Sequence, residues 1–214
     1  FMTIDNVPVI IYTMQAFQNH PLIDGICVVC LKGWEVVLQA YANQFNITKF
    51  KWGGDSNQHS IRNGLWGLRD AGCDENDIIL VHDGVRPLVS ERIISENIEK
   101  CQKYGYAITG MICKEAIMQK VDDCVKNIDI PRERLVRTQT PHTYPLHTLL
   151  KAHEEADSKG IDGTVASCTL MAELGIEDQH LVMGSEKNGL KLTQTEDVEL
   201  FKALKHTTKD EWLK

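Results

Sequence analysis

Ile78-Ile79-Leu80-Val81-His82-Asp83-Gly84-Val85-Arg86-Pro87 is the stretch around which the chain is organised. Its four leading apolar residues read as a strand buried on both faces, as in a parallel sheet. The run then turns polar. His82, Asp83 and Arg86 arrive where the strand ends, and Gly84 and Pro87 punctuate the turn. In open α/β sheets, ligands bind outside the carboxyl ends of the strands. A carboxylate and a guanidinium at such an end point to a metal and an anionic substrate. On these residues alone the alternative is a polar loop in which Asp83 and Arg86 pair with each other. His82 is read as orienting the loop by hydrogen bonding rather than as a base.

Outward from this strand, helices and strands alternate. Towards the N-terminus the pattern predicts a helix from Pro8 to about Asn19, a strand over residues 26–31 and a helix over 34–46. The 34–46 helix would turn Val37, Leu38, Tyr41 and Phe45 inward. A short strand over 49–52 would end at Gly53-Gly54, and a helix would run from Ser60 to Asp70. Beyond the central strand, Ser90 is placed to cap a helix running to about Tyr104, with Ile93, Ile94, Ile98 and Cys101 on its inner face. This order is that of a parallel sheet covered on both sides. The second half is less regular. Strands are expected over 106–112, 116–125, 135–139, 180–183 and 190–193, and helices over 146–156 and 165–174. Thr195 would cap a last helix, with a charged tail from Lys205. Residues 113–134 read as an arm leaving the main sheet.

The chain's 214 residues suit a single α/β domain, with at most a small appendage. Thirty acidic against 23 basic residues leave a net charge of -7, which argues against broad nucleic-acid backbone binding but permits a nucleotide. No apolar run reaches membrane-spanning length, and no signal peptide is visible. Seven scattered cysteines read as reduced thiols of a cytoplasmic protein. Cys27-Val28-Val29-Cys30 spells a CxxC, but residues three apart on a strand point to opposite faces, so the sulfurs should not converge on a metal.

Three further segments carry chemistry. Gly53-Gly54-Asp55-Ser56-Asn57-Gln58-His59-Ser60 lies between a strand and a helix, where glycines allow close ligand approach and a helix start accepts an anion. Arg132-Glu133-Arg134-Leu135-Val136-Arg137 concentrates guanidiniums before Thr138-Gln139-Thr140-Pro141. Asn188-Gly189-Leu190-Lys191-Leu192-Thr193 sets a lysine between apolar residues, where it wants an anionic partner or guards a sheet edge. Each alone has a bland reading: a capped turn, a solvated loop, an edge strand.

Taken in order, these segments resemble the sugar-alcohol-phosphate cytidylyltransferase family over nearly the whole chain. Its members include 2-C-methyl-D-erythritol 4-phosphate cytidylyltransferase and ribitol-5-phosphate cytidylyltransferase. The resemblance implies a Rossmann-like, three-layer, mostly parallel sheet of the nucleotidyltransferase type. It also implies a homodimer held by the projecting arm at about 113–134, and a Mg²⁺-dependent transfer from CTP to a polyol phosphate. By the family pattern, Gly53, Gly54, Asp55 and Ser60 would bind the cytidine part. Asp83 would hold the metal and meet the substrates, supported by Arg86. Lys191 would face charge building on the α-phosphate. Arg132 would reach the acceptor phosphate in the partner subunit's site, and Thr140 and Thr164 would line the acceptor. By the same resemblance Phe1 matches the last residue of the family's Pro-Lys-Gln-Phe, and the opening strand and glycine-rich nucleotide loop before it are expected to be missing from this sequence.

Departures cluster in the acceptor half. Asn57 stands where the family has arginine, Glu115-Ala116 where it has Asp-Thr, and Gly189 where it has asparagine. Gly163-Thr164-Val165-Ala166-Ser167 replaces Thr-Asp-Asp/Glu-Ala-Ser. The expected acceptor is 2-C-methyl-D-erythritol 4-phosphate, which these departures weaken. Ribitol 5-phosphate and a catalytically idle nucleotide-binding relative are the alternatives.

Overall fold

The structure is a computed structural model describing residues 2–47, 50–55, 60–161, 164 and 166–206, with backbone only for 50–55 and 206. In chain order the elements begin with a short hairpin, β1 (Thr3–Ile4) and β2 (Val7–Pro8), and α1 (Val9–Gln18). Then come β3 (Ile26–Cys30), α2 (Glu35–Gln44), β4 (Phe50–Asp55), α3 (Ser60–Asp70), β5 (Ile78–Val81) and α4 (Glu91–Tyr104). The second half holds β6 (Ala107–Ile112), β7 (Met118–Val121), β8 (Cys124–Asn127) and a 3-10 turn, Arg132–Arg134. It ends with β9 (Val136–Pro145), α5 (Leu146–Lys159), α6 (Ser167–Glu173), β10 (His180–Met183), α7 (Glu186–Gly189) and α8 (Glu196–His206).

Four strands form a mixed sheet in the order β10-β6-β9-β5. β10 and β6 are parallel, whereas β9 runs antiparallel to both β6 and β5. The sheet is α/β as expected, with the antiparallel strand β9 in its middle. Its strand β9 is 10 residues long where 135–139 was expected, because residues 142–145 find partners in Ile78–Val81 that no local pattern announces. For the same reason β5 lies beside an antiparallel neighbour, and its residues are half-buried rather than buried on both faces.

β3 and β4 form a separate parallel pair. Gly53 and Gly54 lie inside β4, not in a turn after it. Two helices join this pair to β5. Phe17 of α1 packs in one cluster with Ile26, Ile78 and Leu80. Nearer its start, Ile10 packs with Val28 and Cys30, and Thr13 Oγ1 donates to Gly84 O at 2.8 Å. The carboxyl halves of β3 and β5 thus both face the N-terminal half of α1, so the two strands run the same way. On the other side α3 meets both: Cys27 Sγ lies 3.6 Å from Gly64 O, and Leu65 packs with Ile79 and Val81. Cys27 therefore faces α3 and Cys30 faces α1, on opposite sides of β3 as the strand period requires.

Local chemistry sets many boundaries. Ser90 Oγ accepts from Ile93 N at 3.3 Å and starts α4, whose buried stripe is Ile93, Ile94, Asn97, Ile98 and Cys101. In α2 the buried residues are Leu38 and Ala42, while Val37 remains 38 % exposed, a departure from the expected stripe. The strand region expected over 116–125, with its turn at Asp122-Asp123, is the hairpin β7 and β8, and the Asp122 φ of 54° suits that tight turn. α6 begins at Ser167 rather than 165. Residues 190–193 form no strand.

Candidate active site

The polar end of β5 meets three other segments. Arg86 folds back over its own turn: its N donates to Asp83 O at 3.0 Å, and its Nε donates to Asp83 Oδ2 at 2.8 Å. The ion-pair reading of the opening stretch thus holds, with the Asp83 side chain still 32 % exposed. Asp83 N donates to Thr140 Oγ1 at 3.1 Å, extending the contact between β5 and β9. Lys191 Nζ lies 3.5 Å from the same Asp83 Oδ2. Arg86 Nη1 donates to Gly189 O at 2.7 Å and to Asn188 O at 3.4 Å.

Packing explains why these groups converge. At Gly84 a Cβ would stand 2.7 Å from Ile10 Cδ1, and the glycine leaves that side-chain tip in place. The loop can therefore lie flat on α1. The Leu190-Lys191-Leu192 segment is extended, and extended chains alternate their side chains. Leu190 and Leu192 join Val9, Val85 and Phe201 in one apolar cluster, which turns Lys191 the other way, towards Asp83. Leu192 N donates to Val85 O at 2.9 Å, the one strand-like bond of a segment expected to be a strand.

Burial pushes the Asp83 carboxyl up, but the Arg86 hydrogen bond and the charges of Lys191 and Arg86 outweigh it and hold the pKa below its ordinary value. The carboxylate is ionised at neutral pH. His82 is pushed down to about 4, chiefly by burial, against the Arg86 carbonyl and the Asp83 charge, which favour protonation. Its Nε2–H donates to Arg86 O at 3.0 Å and its ring packs edge-on against Phe17. His82 therefore braces the loop as a neutral ring, as expected.

Asp83, Arg86, Thr140 and Lys191 are brought together as the sequence pattern predicts. Gly53, Gly54 and Asp55 lie at the carboxyl end of β4, where Asp55 is in register with Cys30 of β3. Ser60 is the first residue of α3 and is exposed. Thr164 lies half-buried between α5 and α6. Arg132 is turned away from the cluster within this chain: its Nη1 donates to Lys114 O at 3.1 Å and its Nη2 lies 3.6 Å from Glu133 Oε1. Asn57 and Gly163 fall outside the described residues.

Sequence reasoning missed the turn that presents Lys191. α7 is capped by Ser185, whose Oγ accepts from Asn188 N at 3.0 Å. Asn188 is fully buried, and its Nδ2 donates to Gln139 Oε1 at 2.9 Å and to Thr140 O at 3.0 Å. Gln139 Nε2 in turn donates to Ser185 O at 3.0 Å. The serine followed by an acidic residue was a helix-start signal that could have been read. The Gln139 contact could not.

No group of three or more His, Cys, Asp or Glu side chains able to hold a metal occurs among the described residues. A single carboxylate suits Mg²⁺, which takes one or two protein oxygens together with substrate phosphates and water. Asp83 fits that role, since Arg86 and Lys191 both engage Oδ2 and leave Oδ1 for a metal.

Known proteins similar to this chain are cytidylyltransferases. The family model described as IspD, 2-C-methyl-D-erythritol 4-phosphate cytidylyltransferase, matches residues 1–206. A ribitol-5-phosphate cytidylyltransferase of Lacticaseibacillus paracasei is 42% identical over 95% of this chain and 88% of its own length. A 2-C-methyl-D-erythritol 4-phosphate cytidylyltransferase of Clostridium acetobutylicum is 34% identical over 92% of this chain and 85% of its own. The crystal structure of 4-diphosphocytidyl-2C-methyl-D-erythritol synthase from Anaerococcus prevotii superposes with a TM-score of 0.81 at 21% identity, covering 97% of this chain and 89% of that one. The last comparison speaks for the α/β fold and the first three for descent: the chain belongs to the IspD family of cytidylyltransferases.

Proposed function

We propose that this chain transfers the cytidylyl group of CTP to ribitol 5-phosphate, giving a CDP-polyol and pyrophosphate. Cytidylyl transfer to a sugar-alcohol phosphate follows from the family. The observation that supports its chemistry here is the Asp83, Arg86 and Lys191 cluster at the end of β5. An oxygen of the acceptor phosphate attacks the α-phosphorus, and the bond from that phosphorus to the oxygen bridging to the β-phosphate breaks. Lys191 faces the charge that builds on the α-phosphate, and Arg86 holds Asp83 in place for it. Such sites work by positioning and fixed charge rather than by proton transfer. Asp83 would hold Mg²⁺, which supplies charge neutralisation across the phosphates when bound.

Gly53, Gly54, Asp55 and Ser60 would take the cytidine part. Thr140 accepts Asp83 N–H, which leaves its own O–H to donate to the acceptor. Thr164 would line the acceptor side. Arg132 lies at the base of the arm that carries the exposed β7–β8 hairpin. With its guanidinium turned outward, it would serve the acceptor phosphate of a second subunit in a homodimer.

The choice of ribitol over 2-C-methyl-D-erythritol 4-phosphate rests on the 42% identical relative against the 34% identical one, and on the departures at Glu115-Ala116 and Gly189. The family description favours the second acceptor. Pyrophosphate release by full-length protein, with CTP, Mg²⁺ and a panel of polyol phosphates, separates the two. Ribitol 5-phosphate should lead in kcat/KM by roughly tenfold or more, about 1.4 kcal/mol of transition-state preference. The reverse order reassigns the acceptor. No release with any acceptor leaves a protein that only binds nucleotide.

A further inference from the structure

Asp83, Thr140, Asn188 and Arg86 close a ring of hydrogen bonds. Asp83 N donates to Thr140 Oγ1, Asn188 Nδ2 donates to Thr140 O, Arg86 Nη1 donates to Asn188 O and Gly189 O, and Arg86 Nε returns to Asp83 Oδ2. Each pair of the three distant segments is joined by one side chain of the ring: the Thr140 hydroxyl joins β9 to the β5 turn, the Arg86 guanidinium joins the β5 turn to the α7 turn, and the Asn188 carboxamide joins the α7 turn to β9. Its amide orientation is determined by its partners, because Thr140 O can only accept and must face Nδ2. The same logic orients Gln139, whose Nε2 must face Ser185 O, so its Oε1 is left to take the other Asn188 proton.

Lys191 hangs between two anchors of this ring. On one side Gly189 O is held by Arg86, and on the other Leu192 N is held by Val85 O at 2.9 Å. The residue that fixes the first anchor to β9 is Asn188. We infer that Asn188 is a positioning residue for the transfer: its buried carboxamide fastens the α7 turn to β9 and so sets where Arg86 and Lys191 stand around Asp83. This rests on the reading of Lys191 as the group facing the α-phosphate. Asn188 is fully buried and does not touch substrate; it acts through Lys191. Displacements near 1 Å at a reacting centre cost about a hundredfold in rate, so a loosened anchor should be felt in turnover.

The experiment is a double-mutant cycle on the full chain with CTP, Mg²⁺ and the best acceptor, reading kcat and KM for Asn188→Ala, Lys191→Ala and the pair. Asn188→Ala should lower kcat by roughly 10- to 100-fold and change KM for CTP by less than about threefold, because the lost contact matters most in the transition state. In the Lys191→Ala background, the same change should cost less than about threefold, since the lysine it positions is gone. Gly189→Ala is the second route if Asn188→Ala fails to fold. A Cβ there would stand 2.6 Å from Gln139 Nε2 and push the Gln139 amide off Asn188 while sparing the Asn188 side chain. It should show the same loss of kcat and the same non-additivity. A full multiplicative loss in the Lys191→Ala background, or kcat within twofold of wild type in Asn188→Ala, overturns the role of Asn188. A near-wild-type rate in Lys191→Ala instead overturns the reading of Lys191 on which it rests.

Discussion

Asn97 and Asn188 are two buried asparagines, each 0 % exposed, and they are used differently. Asn97 sits inside α4 with every polar atom paired. Its Nδ2 donates to Ile93 O and to Thr109 Oγ1, both at 2.8 Å, and its Oδ1 accepts from Thr143 Oγ1 at 3.1 Å. Thr109 passes its own proton to Pro141 O at 2.8 Å, so the network closes inside the helix and sheet. Asn188 also donates twice, but its buried Oδ1 accepts from no donor among the described residues. One carboxamide completes a closed structural network. The other holds a surface turn against the candidate site. Polar burial that satisfies every atom serves stability, and polar burial that leaves one open is a place to look for function.

That contrast can be broken at its functional end first. Asp83→Asn and Lys191→Ala should each lower kcat by roughly a hundredfold or more, the scale of removing a group that faces developing charge. Their melting temperatures should stay near wild type, because the pair is partly exposed and contributes little to folding. Steady-state kinetics beside thermal melts test both halves. Near-normal rates in both variants would remove these residues from the chemistry.

The closed network should show the opposite profile. Asn97→Ala leaves Thr143 without its acceptor and Thr109 without its donor, a loss of about 3 kcal/mol in urea unfolding. For a chain of this size that shift corresponds to roughly 6–12 °C in Tm. At a temperature where the variant is folded, kcat should be close to wild type. A large kcat loss in the folded variant would mean that the two networks are coupled.

Between the networks lies His142, 2 % exposed, in β9. Burial pushes its imidazole down to about 4, against the opposing pull of the Asp83 charge and its hydrogen bond to Gln139. The folded value lies below the unfolded one, so the fold favours the neutral ring. Its contribution to stability is complete above about pH 6.5 and is lost as the pH falls towards 4, by roughly 3 kcal/mol. Urea unfolding across this range should show a shallower pH slope in His142→Asn, and an unchanged slope would contradict the argument. Smallest of all is the cap of α4. Ser90→Ala should cost about 1 kcal/mol with no change in turnover, as a purely local bond would.

Legibility followed range. α3, α4, β5 and β10 were readable almost to the residue, because apolar period, caps and flanking turns act within a few positions. The segment at 190–193 was misread as a strand. Its alternating Leu-Lys-Leu is real, but it serves an apolar cluster and a single bond to Val85 rather than a sheet ladder. Gly53 and Gly54 were read as a turn because glycine punctuates chains locally, yet pairing with β3 carries the strand through them. The site residues Asp83, Arg86, Thr140 and Lys191 were legible from ordered motifs and the strand-end rule. Gln139 and Asn188 were not assigned roles, since a buried amide declares its partner only after the chain has folded.

The amino-acid sequence by itself determined the alternation of helices and strands, the polar end of β5 and the residue types of the candidate site. It did so because hydrophobic period and turn chemistry are local. Tertiary structure alone decided that β9 runs antiparallel through the middle of the sheet and that a capped turn presents Lys191. It also decided that one carboxamide fastens that turn. Asp83 meets Thr140 across 57 residues and Arg86 meets Asn188 across 102, and at those separations only the packed sheet and its helices choose the partner.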